Sequence, residues 1–285
     1  MVDSGLSKAV IRFVAGLLSL LILLIAPAVH VYPWGPKAHQ AVTRYAVENL
    51  PAPLQGFFAV HRDFLVEHAL DPDRRKGEDG VEAPKHYIDI DYYDSYPFAH
   101  VSRDLAALIA KYGEQTVYRI GILPWAIAVT VDELTEAMRA GDIKMLLNKA
   151  ADLSHYVADA NQPLHTTQNH DGQQTGNFGI HARFETAFVD FFWKDGYFVP
   201  QPAWYVDDPL EYAFGIIAES HRLLDPVLRA DTKAAARYSL AEWGYYQTLW
   251  EEGAGDAMQG AFNQAAADIA SLWYTAWVDA GRPEL

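Results

Sequence analysis

The chain has no cysteine. That excludes a disulfide framework and a lipoprotein anchor, and it requires any bound zinc to be held through nitrogen and oxygen alone. Strand signals are nearly as scarce. Residues 87–91 alternate as Tyr-Ile-Asp-Ile-Asp, but no second segment offers them a partner. Internal repeats and low-complexity linkers are absent. Basic residues are in short supply, with 22 Lys and Arg against 37 Asp and Glu for a net charge of −15. A field of that sign repels duplex DNA, so no duplex binding is expected, although bound dications would reverse the sign locally.

Long apolar runs are also missing, with one exception. Lys8 and Arg12 precede residues 13–31, which carry no ionic side chain and have a Leu-rich centre, and Ala26-Pro27-Ala28 then supplies small residues. Residues 1–28 read as a secretory signal peptide, which predicts a secreted or periplasmic protein of bacterial type. The competing reading is an uncleaved membrane anchor, since the run approaches the roughly 20 residues that span a bilayer. Residues 29–285 carry a charge of −16 and are expected to form one all-α domain. The chain as a whole is 51% apolar, enough for a sizeable core.

Within that domain the pattern is helical almost throughout. Helices are predicted over 35–50, 116–140, 142–161, 181–193, 209–224, 232–250 and 256–280. Asp142 is placed as an N-cap, and Pro51 and Pro163 follow helix ends. Phe262, Ala266, Ile269, Trp273 and Trp277 recur at helical spacing and read as core. Two long polar connections, 71–85 and 166–180, are candidates for functional loops.

The chemistry concentrates in two i, i+4 pairs. His155 and Asp159 lie one above the other on a helix face, opposite the stripe Leu146, Ala150, Leu153 and Val157. His181 and Glu185 repeat the arrangement, and His165 follows Pro163 between them. Each pair alone would suit an exposed surface. Two such pairs and a third histidine within 31 residues point instead to a metal site, because imidazole and carboxylate suit zinc where thiolate is lacking.

With these residues in hand, the chain resembles the superfamily of zinc-dependent phospholipase C and the single-strand-specific zinc nucleases of fungi and plants. Four motifs carry the likeness over roughly residues 34–190: Trp34-Gly35 with His39; an Asp followed by His86-Tyr87-Ile88-Asp89; the run from His155 to His165; and Gly179-Ile180-His181 with Glu185. The resemblance implies an all-α fold around three zinc ions. One would take Asp71, His86, His155 and Asp159, with Asp73 a rival to Asp71 across Pro72. The second would take His165, His181 and Glu185. The third would take the main chain of Trp34 with His39, and Asp159 as the bridge. In the family that third zinc uses the free amine of an N-terminal Trp. Cleavage after Ala28 would leave five residues ahead of Trp34, so the third zinc is the least secure.

The implied activity is hydrolysis of phosphodiester bonds by metal-activated water, with Asp71 as the group that orients or deprotonates the water. Glu185 and the run Asn161-Gln162-Pro163 favour the phospholipase C branch, with phospholipid head-group release. Tyr87 and Asp89 favour the nuclease and 3′-nucleotidase branch, where an aromatic stacks on a base and an acid bonds it. Phospholipid or single-stranded nucleic acid and nucleotides are therefore the two substrate classes. A non-catalytic, zinc-stabilised binding protein is the third reading, although three ligands on the second zinc leave an open position that suits catalysis.

Overall fold

Gly35 and Pro36 open the first helix and Pro51 follows its end, as the sequence suggests. In this computed structural model, which describes residues 34–77 and 80–285, α1 runs Pro36–Asn49. The signal segment expected over 1–28 lies outside the described residues. Short helices follow: α2 (Ala52–Val60), α3 (Arg62–His68) and α4 (Asp71–Arg75), then α5 (Leu105–Tyr112) and α6 (Glu114–Ile120). Two long antiparallel neighbours come next, α7 (Leu123–Ala140) and α8 (Ile143–Ala160). Asp142 caps α8 by accepting the Met145 amide at 3.0 Å.

A three-residue α9 (Ile180–Ala182) widens into a π turn over Arg183–Phe188 and continues as α10 (Val189–Phe192). The chain closes with α11 (Pro209–His221), α12 (Leu224–Ala235), α13 (Trp243–Leu249) and the 25-residue α14 (Gly255–Asp279). No strand occurs among the described residues; residues 87–89 are extended and lead into a 3₁₀ turn at Ile90–Tyr92. The fold is all-helical.

Helix α14 packs on α1, α7 and α8, and α3 and α11 close the outside of this group. Phe262, Ala266, Ile269 and Trp273 are buried, and the Trp273 indole donates to the Ala150 carbonyl at 3.0 Å, tying α14 to α8. None of the described helices is long and apolar enough to cross a membrane.

Two expected helices are broken. The 116–140 helix divides at Gly121, which sits at φ +97°, where a Cβ would lie 2.1 Å from the Tyr87 carbonyl oxygen. Only glycine allows that approach, and it lets the extended segment carrying His86 lie against the start of α7. The 232–250 helix divides between α12 and α13 at residues 236–242. Here the Tyr238 ring folds against Gly244, where a Cβ would meet it at 2.6 Å.

The largest departure concerns α8. His155 and Asp159 do lie opposite the stripe of Leu146, Ala150, Leu153 and Val157, but both are 0% exposed. Helices α1 and α3 cover that second face. A buried His/Asp face needs polar or ionic partners, and these assemble around it.

Candidate metal centre

Six segments bring the histidines and carboxylates together. Helix α1 supplies His39, α4 supplies Asp73, and a 3₁₀ turn at Ala83–His86 supplies His86. Helix α8 supplies His155 and Asp159. A second 3₁₀ turn at Pro163–Thr166, started by Gln162, supplies His165, and the segment from α9 into the π turn supplies His181 and Glu185. Ligand atoms converge in three groups: first Asp73, His86 and His155; second His165, His181 and Glu185; and third His39, His155 and Asp159. All are buried except His181, which is partly open.

The spacings are those of coordination shells. In the first group His86 Nδ1 is 2.8 Å from Asp159 Oδ2 and 2.9 Å from His155 Nε2. His155 Nε2 is 3.2 Å from Asp159 Oδ2 and 3.6 Å from Asp73 Oδ1, and His86 Nδ1 is 3.8 Å from Asp73 Oδ1. Ligands at 2.0–2.1 Å around a tetrahedral zinc stand about 3.3 Å apart, and these five distances bracket that value. The second group behaves alike. His165 Nε2 lies 3.2 Å from His181 Nε2 and 3.6 Å from Glu185 Oε2, and His181 Nε2 lies 2.9 Å from the same oxygen. Asp159 Oδ1 faces His39 Nε2 at 3.5 Å and His165 Nδ1 at 3.4 Å, so its two oxygens serve different neighbours.

The donor set fits zinc. Asp159 Oδ1, Glu185 Oε1 and His165 Nδ1 are buried without a hydrogen-bond partner, the usual mark of a polar site whose partner is an ion. The outer atoms are also prepared. His155 Nδ1 donates to the Ala69 carbonyl at 2.7 Å, which turns Nε2 into the cluster; burial opposes its charge but Asp159 and Asp73 raise this imidazole above its usual value, so a metal there would take the place of the Nε2 proton. His86 Nε2 faces Glu82 at 3.8 Å, and Glu82 is held by the Tyr156 hydroxyl, Lys85 at 2.9 Å and Arg75 at 3.5 Å.

Charge is distributed accordingly. Burial would raise the Asp159 carboxyl, but the charges of His155 and His165 and the bonds from His155 and His86 hold it well below the usual carboxylate range. Burial likewise opposes ionisation of Glu185, and His181 with His165 reverses the effect. Burial pushes His86 down towards its neutral form, and a neutral imidazole is the form that ligates metal.

Asp71, expected in the first group, does not reach it. Its carboxylate is 31% exposed and pairs with His68 at 2.6 Å and Arg74 at 2.6 Å. On one helical turn two residues point about 200° apart, so the Asp-Pro-Asp sequence sends Asp73 inward and Asp71 outward. Asp73 is held by Lys76 at 2.6 Å.

Trp34 was expected beside His39. Its main-chain nitrogen instead lies 2.9 Å from Glu185 Oε2, against the second group. Its ring is buried and stacks on Phe262 at 4.5 Å, and a Cβ on Gly35 would meet the Thr186 hydroxyl at 3.0 Å. The Trp-Gly dipeptide is therefore seated on the segment that carries Glu185.

Tyr87 and Asp89 stand outside the three groups. Along the extended segment His86, Ile88 and Ile90 are buried, while Tyr87 and Asp89 are half-buried on the opposite side. Tyr87 donates its hydroxyl to the Arg119 carbonyl at 3.2 Å. Burial, with the neighbouring charge of Asp91, pushes Asp89 up to about 7.

One contributor carries its own signal in the sequence: Glu82 stands four before His86, the same acid/His spacing in reverse. A separate cavity of about 480 Å³ lies beyond Glu82 and Tyr156, lined also by Arg75, Lys85, Lys149 and Asp152.

Fold and site together describe an all-helical protein with a buried, multinuclear-type nitrogen and oxygen donor cluster. A solved structure of alpha toxin from Clostridium absonum has a similar fold, with a TM-score of 0.50 and 12% identity. The likeness covers 82% of this chain and 63% of that one. A probable serine protease from Bradyrhizobium tropiciagri is 23% identical over 257 residues, 71% of this chain but 32% of the longer protein. The chain thus spans about a third of that curated relative. No family model matches.

Proposed function

We propose that this chain is a zinc-dependent hydrolase of phosphodiesters, acting on phospholipids in the manner of a phospholipase C. The observation that carries the reading is the ligand spacing in the two groups Asp73/His86/His155 and His165/His181/Glu185, which Asp159 links through its two oxygens. Three zinc ions are the proposed complement: one at Asp73, His86, His155 and Asp159; one at His165, His181 and Glu185; and one at His39 and Asp159, where the Trp34 nitrogen, turned to Glu185, takes no part. When bound, zinc would activate water and neutralise charge on the phosphoryl oxygens.

The chain's own residues would then divide the work. Asp73, at the edge of the first group and paired with Lys76, is placed to accept the proton of the attacking water, the role the sequence had given to Asp71. His181, the one partly open ligand, marks the side from which a substrate would approach. Export through residues 1–28 is part of the same proposal, since a lipid substrate of this kind is met outside the cell.

A second reading has one observation in its favour. Tyr87 and Asp89 face outward together, one residue and three residues beyond His86, as a base-binding aromatic and acid would in a nuclease or 3′-nucleotidase. Zinc-loaded protein assayed on phosphatidylcholine, phosphatidylethanolamine, single-stranded DNA and a 3′-mononucleotide, with a chelator control, separates the two. Chelator-sensitive release of phosphocholine or phosphoethanolamine is the expected result. Cleavage of the nucleotides alone would transfer the assignment to the nuclease reading. Hydrolysis of none of them would leave a zinc-stabilised binding protein.

A further inference from the structure

Between His181 and Glu185 stands Arg183, and it points away from both into a buried polar knot. Its Nη2 donates to Asp231 Oδ1 at 2.8 Å and its Nε to the Tyr245 hydroxyl at 2.9 Å. The same guanidinium reaches back to the Phe178 carbonyl at 2.6 Å and the Asn177 carbonyl at 3.4 Å. Asp231, on α12, also accepts the Tyr245 hydroxyl from α13 and Asn177 Nδ2 at 2.6 Å. Asn177 spends its remaining contacts on α12, at the Leu228 carbonyl and the Thr232 hydroxyl. Asp231 and Tyr245 are buried.

We propose that the Arg183–Asp231 pair is a positioning device for the second metal group, fixing where His181 and Glu185 stand relative to His165. The inference rests on the metal reading above. Its physical ground is that a buried ion pair is a poor source of net stability, since desolvation offsets most of the attraction, and its best-attested use is to specify one register.

Register is what this segment needs. The turn over Arg183–Phe188 is a π turn, a geometry rare in helices and found mostly at functional sites. It follows Gly179 at φ +77°, where a Cβ would stand 2.9 Å from Arg183 Nη1. The segment is therefore gripped at the loop before α9 and at the turn itself, and both grips end on one carboxylate. Asp231 bonds Arg183, Tyr245 and Asn177 and belongs to none of the three donor groups, so it acts through Arg183 and not as a ligand.

The test removes both charges together, because losing one would leave the other buried and unpaired. The Arg183→Met, Asp231→Leu double variant should fold, as judged by far-UV circular dichroism and a cooperative melt. Zinc retained per chain would be measured by elemental analysis after dialysis against graded chelator, and the absorption of cobalt in its place would report the ligand geometry. We expect the zinc at the second group to bind about tenfold more weakly or worse, the range seen when groups that orient metal ligands are removed, with an altered cobalt spectrum. A folded double variant with zinc retention and cobalt spectrum unchanged would overturn the positioning role.

If the double variant does not fold, Tyr245→Phe takes its place, since it deletes one hydroxyl that touches both members of the pair. A severalfold loss of zinc affinity supports the proposal and unchanged affinity overturns it. Absence of zinc in the unaltered chain would overturn the metal reading itself, an outcome distinct from equal retention in all variants.

Discussion

Asp71 and Asp73 differ by one proline between them, and replacing each with Asn separates a surface acid from a site acid. Asp71 pairs with Arg74 and His68, whose side chains are 54% and 32% exposed. Exposed pairs of this kind contribute below about 1 kcal/mol each. The two together contribute below about 2 kcal/mol, so Asp71→Asn should lower the melting temperature by at most about 8 °C in a domain of this size, and it should leave zinc binding and turnover within about twofold, a change of about 0.4 kcal/mol.

Asp73 is 7% exposed and sits 3.6 Å from His155 Nε2 and 3.8 Å from His86 Nδ1. Groups that merely orient a ligand cost 10–100-fold in metal affinity when lost, so the loss of a charged ligand should cost about 100-fold or more. At a fixed excess of free zinc that removes about 2.7 kcal/mol of ligand-linked stability, or roughly 5–10 °C of the melting increment. The quantity to measure is that increment, the difference between zinc-loaded and chelated melts at buffered free zinc. Taking the difference removes any change in the metal-free fold, including the lost ion pair to Lys76. Turnover of the best substrate should fall with it for Asp73→Asn. Full increment and turnover in Asp73→Asn, with both lost in Asp71→Asn, would refute the placement of Asp73.

Three further outcomes follow from the same geometry. Glu82→Gln should weaken zinc by about 10–100-fold in chelator competition, because Glu82 faces His86 Nε2 and fixes that ring; unchanged affinity would remove Glu82 from the metal site's support. Burial pushes Asp268 up to about 6 despite bonds from Tyr212, Gln264 and Asn161. An acid raised on folding stabilises most below its unfolded value near pH 4 and loses that contribution as pH rises through 6, so stability relative to Asp268→Asn should fall by about 3 kcal/mol from pH 4 to 8. Urea titrations of both proteins at the two pH values check this, and a pH-independent difference would contradict it. Gly121→Ala should cost about 3 kcal/mol or more, since its Cβ would stand 2.1 Å from the Tyr87 carbonyl oxygen at φ +97°; a melt within 2 °C of the parent would count against it.

Helix placement was largely legible because capping and proline signals act within one turn of chain. Asp142, Pro51 and Pro163 mark their boundaries, and α1 and α8 begin and end within a residue or two of where those marks put them. The breaks at Gly121 and at residues 236–242 were not legible. Each depends on a group brought in by the fold, the Tyr87 carbonyl in one case and the Tyr238 ring in the other. The pairs His155/Asp159 and His181/Glu185 are visible as i, i+4 spacings, and their recurrence together with His165, not either spacing alone, points to a metal site. Their supporting atoms are not visible in this way. The Ala69 carbonyl lies 86 residues from His155, and Asp231 lies 48 from Arg183. Neither a main-chain carbonyl nor a lone Asp on an amphipathic helix carries a local mark of its partner.

Helix α8 gives the clearest physical account of why the site could be found at all. Its apolar stripe alone predicts an ordinary surface helix with His155 and Asp159 facing water. The fold covers that polar face with α1 and α3, and so buries an acid and an imidazole whose desolvation would be costly without partners. Asp73, His86, His39 and His165 supply those partners from four separate segments. Asp73 comes from the polar connection over 71–85, His86 directly follows that connection, and His165 stands at the mouth of the second. A burial pattern that breaks the amphipathic rule, with a carboxylate ringed by imidazoles at its centre, is the kind of local inconsistency a protein keeps where chemistry requires it. The position of Asp73 illustrates the limit of spacing rules: Asp-Pro-Asp offers two acids, and only the packing of α4 against α8 decides which of them turns inward.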